Sequence, residues 1–345
     1  TDDETYSRSC HVRLGTGSRS FDLPCKTGIL DVTNSDVYEA YRRVKYDTLE
    51  AAYNNADKSS ALDGDLKRLC KGRFNFMHLA LIDDYGRIPS KGLVEFMASV
   101  QYGPTDVIIT PSWYSVMSGH LNDIDLYLRL TDWFLDAAEV RNSKPAMVSI
   151  PQNIAAAHIG RVLDHLIGDR GITAFCIDSN NRNLLQGSWI KNFNVRLNDA
   201  KRSYNVEKEC LTYSVNAFQG MIKKTELYGD AIDFLGFSAG MDIIGGKHSM
   251  KRYRTEGESE HTVARRFDPE SYNYVNIPCD VSRKKTITEN SVDDQIREMG
   301  IVRDRIREGS LHELLDSKMI SRGTMDTIYG IRDNGGRNRT LDEFI

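Results

Sequence analysis

The chain has 345 residues, of which 40% are hydrophobic and 27% charged, and its formal net charge is −4 at neutral pH. These values are typical of a globular protein that is large enough to bury a sizeable core. The net negative charge argues against indiscriminate coating of nucleic acid, although a local basic face remains compatible with it. The sequence contains no run of about 18 apolar residues, so no membrane span is predicted. No secretory leader is recognisable.

The six cysteines are scattered along the chain and include no Cys-x-x-Cys pair. A disulfide framework is not expected in a chain of this size, so a reducing, cytoplasmic location is favoured. No four cysteine and histidine residues show the spacing of a structural zinc site. We therefore predict no metal and no cofactor.

In chain order, short apolar runs alternate with segments of helical periodicity. The runs span residues 76–82, 106–110, 146–150, 172–177, 210–215 and 231–237. Their length and content of Ile and Val are typical of parallel strands buried on both faces. One or two earlier strands are expected within residues 10–45, where the pattern is weaker.

Between the runs, apolar residues recur at helical spacing in residues 93–100, 124–140, 154–167 and 218–227. Alternating strands and helices predict a parallel α/β fold. Neither Gly-x-Gly-x-x-Gly nor Gly-x-x-x-x-Gly-Lys-[Ser/Thr] is present, which favours a (β/α)8 TIM-type barrel over a nucleotide-binding open sheet. We predict one domain over residues 1–345, with the barrel at about residues 20–245.

The last third of the chain has a different pattern. Residues 246–290 are polar, carry both signs of charge and predict a long irregular loop or insertion, of the kind that is often functional. Apolar residues at helical spacing return from Ser291 to Leu315, with Gly309 where that helix could break, and C-terminal helices are expected to about residue 330. The tail around Gly335 and Gly336 is expected to be loosely ordered.

Several segments resemble the tRNA-guanine transglycosylase superfamily. The arginine-rich segment from Ile296 to Leu315 is similar to that family's closing helix. Further similarities are to its last two strands at residues 211–218 and 229–237, to its Val-Gln-Gly-Gly turn at residues 149–152, and to its Asp-Ser-Gly-Gly turn at residues 81–86. The order and spacing of these motifs, over about residues 75–315, carry the resemblance.

The chain departs from the family pattern at two places. The family holds a zinc ion through Cys-x-Cys-x-x-Cys and a histidine, whereas only Cys279 is kept here and Asn290 stands in the histidine's place. The resemblance thus predicts a member without zinc. The family's nucleophilic Asp ends an Asp-x-Phe-Asp motif, and here Asp233-Phe-Leu-Gly236 puts glycine in that place. Either the nucleophile has moved or the activity has changed.

The resemblance implies that guanine in nucleic acid is exchanged for a 7-deazaguanine base through an Asp-linked covalent intermediate. Such chemistry needs two carboxylates near the sugar and a base that is extruded and read by hydrogen bonds. The candidate catalytic acids are Asp83, Asp84, Asp178, Asp233 and Asp242. Of the two acids at residues 83 and 84, Asp83 is the preferred catalytic candidate. Asp242, which is expected on the loop after a late strand, could replace the missing nucleophile. The structural alternatives are a solvated turn or helix cap for Asp83 and Asp84, and an Asx-turn for Asp178.

Polar residues after strands are candidates for reading the base, because an amide offers a donor and an acceptor together. These candidates are Gln152, Ser112 and Asn216, and a loop amide that ties down its own turn is the alternative for Gln152. Basic residues interleaved with aromatics suit phosphate contacts and base stacking. The candidates for nucleic-acid binding are Lys247, Arg252, Arg254, Arg283 and Lys284, with a solvated charged loop as the alternative.

The expected partners are DNA or tRNA and a 7-deazaguanine base of the preQ0 kind. DNA is favoured because the zinc signature and the RNA-binding domain of archaeal tRNA enzymes are missing. A homodimer is implied by the resemblance alone. Three alternatives stay open: a tRNA-guanine transglycosylase, a non-catalytic nucleic-acid-binding or partner subunit of the same fold, and an unrelated barrel enzyme that acts on a small molecule.

Overall fold

The structure is a computed structural model, and it describes residues 7–13, 20–29, 32, 34–70, 72–83, 85–114, 116, 123–141, 144–185, 188–206, 210–223, 225–248 and 261–333. Its strands are β1 (Cys10–Arg13), β2 (Ser20–Leu23), β3 (Cys25–Lys26), β4 (Tyr38–Lys45), β5 (Asn75–Ile82), β6 (Val107–Ile109), β7 (Ala146–Pro151), β8 (Ala174–Asp178), β9 (Leu211–Val215), β10 (Tyr228–Asp230), β11 (Ile243–Ile244), β12 (His261–Asp268) and β13 (Asn273–Asp280). Its α-helices are α1 (Tyr46–Tyr53), α2 (Ala56–Leu69), α3 (Lys91–Tyr102), α4 (Ile124–Glu139), α5 (Ile159–Leu163), α6 (Ser188–Ser203), α7 (Val281–Glu308), α8 (Leu311–Ser317) and α9 (Arg322–Asp333).

Eight strands form one all-parallel sheet in the order β3-β11-β9-β8-β7-β6-β5-β4. The sheet is strongly curled. Phe76 on β5 and Tyr213 on β9 lie four strands apart in this order, yet their ring centroids are only 5.8 Å apart. In a flat sheet the same strands would be separated by about 19 Å. The curled, helix-flanked parallel sheet is compatible with the predicted TIM-type architecture.

The two outermost strands of the sheet are connected by backbone hydrogen bonds. Gly28, just after β3, donates to the Val37 carbonyl at 2.8 Å and accepts from the Glu39 amide at 2.8 Å. This contact brings β3 and β4 to the same side of the curled sheet. Residues carried by these two strands therefore face one interior.

Alternate residues of each strand face two different apolar clusters, which explains why the strands have apolar residues on both faces. On β5, Phe76 belongs to the interior of the curled sheet, where Phe21 and Leu23 of β2 and Phe74 fill the end near the strands' amino termini. Met77 instead joins the larger layer between the sheet and the helices. The helices cover the convex side, and the concave side is available for a site.

Two predictions for residues 218–237 were wrong. The apolar run at residues 231–237 is not a strand. Phe234–Ala239 form a 3-10 helix, whose first amide is capped by the Asp233 side chain at 2.9 Å, and the strand is the later β11. An apolar run that is buried on all sides has no period that separates helix from strand. Residues 218–223 and 225–227 are not helical, and Leu227 is 82% exposed.

The predicted irregular insertion at residues 246–290 was also wrong in part. It contains the antiparallel hairpin of β12 and β13, to which β10 adds a third strand, and α7 already begins at Val281. This helix ends at Gly309 as predicted, with a left-handed φ of 71°. Residues 249–260 and the tail from 334 onward lie outside the described residues. No helix in the described part of the chain has the length and apolar character needed to cross a membrane.

Candidate functional site

Polar side chains from several strands meet inside the curled sheet, toward the carboxyl ends of the strands. This is the end at which parallel α/β barrels build their active sites. We call this cluster the polar centre. It consists of Glu39, Tyr41, His78, Ser112, Ser149, Asp178, Tyr213, Asn216 and His248.

Asp178, the last residue of β8, is completely buried. Its Oδ2 atom accepts a hydrogen bond from Ser112 Oγ at 2.6 Å and lies 3.2 Å from His78 Nε2. Its Oδ1 atom accepts from Asn216 Nδ2 at 3.2 Å and from the Asn180 amide at 3.1 Å. Burial alone would raise the pKa of this carboxyl, but His78 and the hydrogen bond from Ser112 lower it to about 2. Asp178 is therefore a buried carboxylate at neutral pH.

The structure thus brings together three predicted site residues, Ser112, Asp178 and Asn216, which follow or end three different strands. Ser112 Oγ also lies 2.8 Å from His78 Nε2 and 2.9 Å from Ser149 Oγ. The Asn180 contact of Asp178 is the local Asx-turn that was the structural alternative. Asp178 makes this turn and also joins the network across the strands.

A second buried carboxylate, which sequence reasoning missed, is Glu39 on β4. It accepts hydrogen bonds from Thr27 Oγ1 at 3.1 Å and the Gly246 amide at 3.0 Å, and further bonds join it to the Tyr213 hydroxyl and His248 Nε2. Burial opposes its ionisation, but His248, Lys26 and the Tyr213 hydroxyl hold the pKa of Glu39 below its ordinary value. The interior therefore carries two carboxylates, Glu39 and Asp178.

Three stacked rings connect the surroundings of the two carboxylates. The His248 ring lies on Tyr41 with centroids 4.6 Å apart and planes 8° from parallel, and Tyr41 lies on His78 with centroids 5.4 Å apart. His248 bonds Glu39 at one end of this stack, and His78 contacts Asp178 at the other. The side chain of His248 is 21% exposed, and its amide donates to Asn216 Oδ1 at 3.0 Å. His248 is thus a partly exposed member of the polar centre, bonded through its amide to the buried Asn216.

Several buried polar atoms just beyond β6, β7 and β8 have no hydrogen-bond partner within the described part of the chain. They include Trp113 Nε1, Gln152 Oε1 and Ser179 Oγ. A buried polar atom without a partner costs about 1–3 kcal/mol. The predicted base reader Gln152 ties its own Nε2 to the Asn183 carbonyl at 3.2 Å and leaves its acceptor unused. These groups can hydrogen-bond to a ligand at the carboxyl ends of the strands.

Asp83, the first choice among the predicted acids, is not part of this network. Its carboxylate binds Arg87, with Oδ1 2.7 Å from Nη2, and Arg87 also pairs with Asp47 at 2.6 Å. The hydrogen bond from Arg87 lowers the pKa of Asp83. This ion pair fixes the turn after β5. The structural alternative was a solvated turn or a helix cap, and the observed turn differs from it because the Asp83 side chain is only 1% exposed. Asp84 lies outside the described residues.

Asp242 was expected on the loop after a strand, and this expectation was wrong. It directly precedes β11, where Arg8 binds its two oxygens at 2.8 and 3.0 Å and Thr212 donates from its amide at 2.8 Å. Thr212 on β9 lies three residues before Val215, the residue that pairs with Asp178. Three strand residues span roughly 10 Å. Asp242 is therefore at the amino end of the sheet, remote from Asp178.

The residue that follows β11 is Gly245. It comes directly after Ile243 and Ile244, the two residues of that strand. A Cβ atom on Gly245 would overlap the Glu39 carboxylate and the Ser214 carbonyl. The position after β11 therefore has no room for an acidic side chain, and Glu39 occupies that space.

Asp233 lies apart from the polar centre, as the cap of the 3-10 helix. The Tyr274 hydroxyl donates to it at 3.0 Å, and burial raises its pKa. It shares a cavity with Lys247 and Lys284, two of the predicted nucleic-acid-binding residues. Arg283 is exposed on α7 beside Lys284. Arg252 and Arg254 lie outside the described residues.

A comparison with protein-family models finds no match, and a comparison with curated proteins finds no significant match. The resemblance to guanine transglycosylases thus rests on the sequence motifs. Within the described residues, no group of three or more His, Cys, Asp or Glu side chains is arranged to hold a metal ion. Cys279, the remaining residue of the family's zinc motif, lies on β13.

Proposed function

We propose that the protein is a glycosyltransferase that exchanges guanine in nucleic acid, with DNA favoured over tRNA, for a 7-deazaguanine base. The polar centre is its active site, and the curled sheet is a closed (β/α)8 barrel. The observation that carries the proposal is the direct hydrogen bonding of Asp178 to Ser112 and Asn216 at the carboxyl ends of the strands. An ionised carboxylate is thereby held beside groups that can bind a base.

In this proposal the carboxylate of Asp178 attacks C1′ of the sugar with an oxygen lone pair. The bond from C1′ to the base nitrogen breaks, its electron pair leaves with guanine, and guanine takes up a proton. The incoming base then gives up a proton, and its nitrogen displaces the carboxylate from C1′. Glu39 and His248, which bond each other, are placed to move these protons.

Binding of the base is assigned to groups around Asp178. Asn216 hydrogen-bonds this carboxylate, so a nucleotide that reaches Asp178 displaces or shares that bond. The unused acceptor of Gln152 can take a hydrogen bond from the Watson–Crick edge of an extruded base.

Incubation with radiolabelled guanine and either duplex DNA or tRNA tests the proposal. Incorporation into DNA alone supports the favoured form, and incorporation into tRNA alone supports the tRNA enzyme. If neither polymer becomes labelled and neither exchanges its guanine for a 7-deazaguanine base, the proposed activity is wrong.

A non-catalytic binding subunit is the second candidate, and one observation favours it. Each candidate acid that the structure describes is already bonded to protein groups, and Asp178 has no exposed surface. This candidate predicts that the protein binds nucleic acid in a gel-shift assay without labelling it. Asp178→Asn would then leave the affinity unchanged.

A further inference from the structure

A cavity of about 340 Å³ lies beside the polar centre, between the carboxyl end of the sheet, the β12–β13 hairpin and α7. Among the described residues that line it, four are basic and one is acidic. The basic residues are Lys26, Lys247, Arg265 and Lys284, and the acidic residue is Asp233. The cavity therefore concentrates positive charge in a chain whose net charge is −4.

Three of these cations have no carboxylate within ion-pair distance in the described part of the chain. Arg265 Nη1 donates to the Gly220 carbonyl at 2.7 Å, and Lys284 Nζ to Thr262 Oγ1 at 3.4 Å. Lys247 lies over the Phe218 ring at 5.7 Å. Neutral groups thus contact all three cations, and none of the three forms an ion pair with a described carboxylate.

The next residue along the chain provides a contrast in two of these cases. Arg266 pairs with Asp294 at 2.9 Å, and Lys285 pairs with Glu289 at 3.5 Å. Arg266 and Lys285, which do not line the cavity, are paired with acids. Arg265 and Lys284, which do line it, have no such pair among the described residues. This difference is what a site that receives its negative charge from a ligand would show.

The two other charged side chains of the cavity, Asp233 and Lys26, are already hydrogen-bonded to protein groups. Asp233 is held by the Tyr274 hydroxyl and the Phe234 amide, and burial raises its pKa. Lys26 is buried and donates to the carbonyl of Gly245 at 2.6 Å. Burial and the nearby Arg265 lower the pKa of Lys247. An anion bound among these groups would relieve the repulsion between the cations.

We propose that this cavity binds a phosphate group. Arg265 offers a planar fork of N–H donors and Lys247 and Lys284 offer ammonium groups, a donor set that suits the oxygens of phosphate. Lys247 lines the cavity, and the next residue, His248, belongs to the polar centre. A phosphate bound here would lie close enough for the sugar and base of the same nucleotide unit to enter the polar centre. The proposal rests on the proposed function only in taking nucleic acid as the source of the phosphate.

The site is tested by titrating the full chain with inorganic phosphate. Calorimetry measures the binding, and the melting temperature measures the stabilisation by the bound phosphate. The double variant Arg265→Gln/Lys284→Gln removes two cations from the cavity. The matched control Arg266→Gln/Lys285→Gln makes the same charge change one residue along each element. We expect wild type and control to bind phosphate with affinities within about twofold, and the cavity variant to bind at least about tenfold more weakly.

No saturable binding by the wild type would overturn the proposal, and so would equal weakening in both double variants. If the cavity variant melts before titration, the single variant Lys284→Gln is compared with Lys285→Gln instead. The same criterion then applies to that pair.

Competition separates the two sources of phosphate. If a single-stranded DNA oligonucleotide displaces inorganic phosphate and the cavity variant weakens both, the site binds the nucleic-acid backbone. If the oligonucleotide does not compete, the cavity binds free phosphate and the nucleic-acid source is wrong. Phosphate binding without base exchange would contradict the proposed function alone. Base exchange without phosphate binding would overturn this inference alone.

Discussion

The carboxylate of Glu39 fills the space into which any side chain at Gly245 would project. A Cβ atom built on Gly245 would overlap Glu39 Oε2 and lie 2.9 Å from Tyr213 Cε2. The short β3 lies between the strands that carry these two residues, because it pairs with β11 and is connected to β4 through Gly28. Glycine after β11 therefore makes room for an acid from another strand. The interior thus has a carboxylate at this place, and β4 supplies it.

Gly245→Ala should destabilise the fold, because the added methyl group meets a carboxylate and a backbone carbonyl that cannot easily move. We expect a loss of about 1–3 kcal/mol in the free energy of unfolding, measured by urea denaturation. Gly300→Ala is the control, because Gly300 lies inside α7 and its added Cβ would be in ordinary contact with Arg303 Nη2, at 3.7 Å. This control should gain up to about 1 kcal/mol. Equal effects of the two changes would contradict the assigned packing.

Glu39→Gln should destabilise the protein by about 3 kcal/mol, because an amide cannot accept all the hydrogen bonds that converge on this buried carboxylate. It would also remove the attraction between Glu39 and the buried Lys26. Glu139→Gln is the matched control, since Glu139 is 61% exposed and pairs with Arg170 at the surface. The control should change the free energy of unfolding by less than about 0.5 kcal/mol. A small effect of Glu39→Gln would mean that the carboxylate is not ionised.

The stability that Asp178 contributes should depend on pH in a defined direction. Its pKa is about 2 in the folded protein, below the ordinary value of 3.8. A carboxyl with a lowered pKa contributes fully above its unfolded value, and the contribution is lost as the pH falls through the folded value. The difference in unfolding free energy between wild type and Asp178→Asn should therefore shrink by about 2 kcal/mol from pH 5 toward pH 2. A difference that stays constant over this range would contradict the ionised, bonded carboxylate.

Asp242→Asn should lower the stability of the fold without lowering the rate of base exchange. Arg8 loses a charged partner at the amino end of the sheet, so we expect a lower melting temperature and a loss of about 1–3 kcal/mol. Base exchange should stay within about twofold of wild type, because Asp242 is about three strand residues away from Asp178. Complete loss of base exchange in a folded Asp242→Asn protein would show that Asp242 belongs to the catalytic site.

The fold could be predicted where the strands are apolar on both faces. The runs that became β5 to β9 are recognisable because both of their faces contact apolar clusters. β4 is harder to predict, because its interior positions carry Glu39, Tyr41 and Arg43 instead of aliphatic residues. The run at residues 231–237 was misassigned because it is buried on all sides in a 3-10 helix, and β11 was missed because it has only two residues.

The candidate site was predictable at strand ends and not inside strands. Ser112, Asp178 and Asn216 follow or close apolar runs, and the carboxyl ends of parallel strands meet at one edge. Glu39 and His78 lie within strands, and their role depends on curling that brings distant strands together. The signal that could have found His78 is a single histidine in the otherwise apolar segment Phe76–Ile82. Pairing it with Asp178 requires the strand order, which the sequence pattern does not contain.

The most direct test of the central claim is the single-turnover rate of labelled guanine incorporation into duplex DNA and tRNA by wild type, Asp178→Asn and Asp136→Asn. Asp136 is exposed on α4, where it pairs with Arg170, and serves as the matched control. We predict that wild type and Asp136→Asn incorporate guanine at similar rates, and that Asp178→Asn, still folded at neutral pH, is slower by about a thousandfold or more. Incorporation by Asp178→Asn at the wild-type rate would contradict the assignment of the polar centre as the active site.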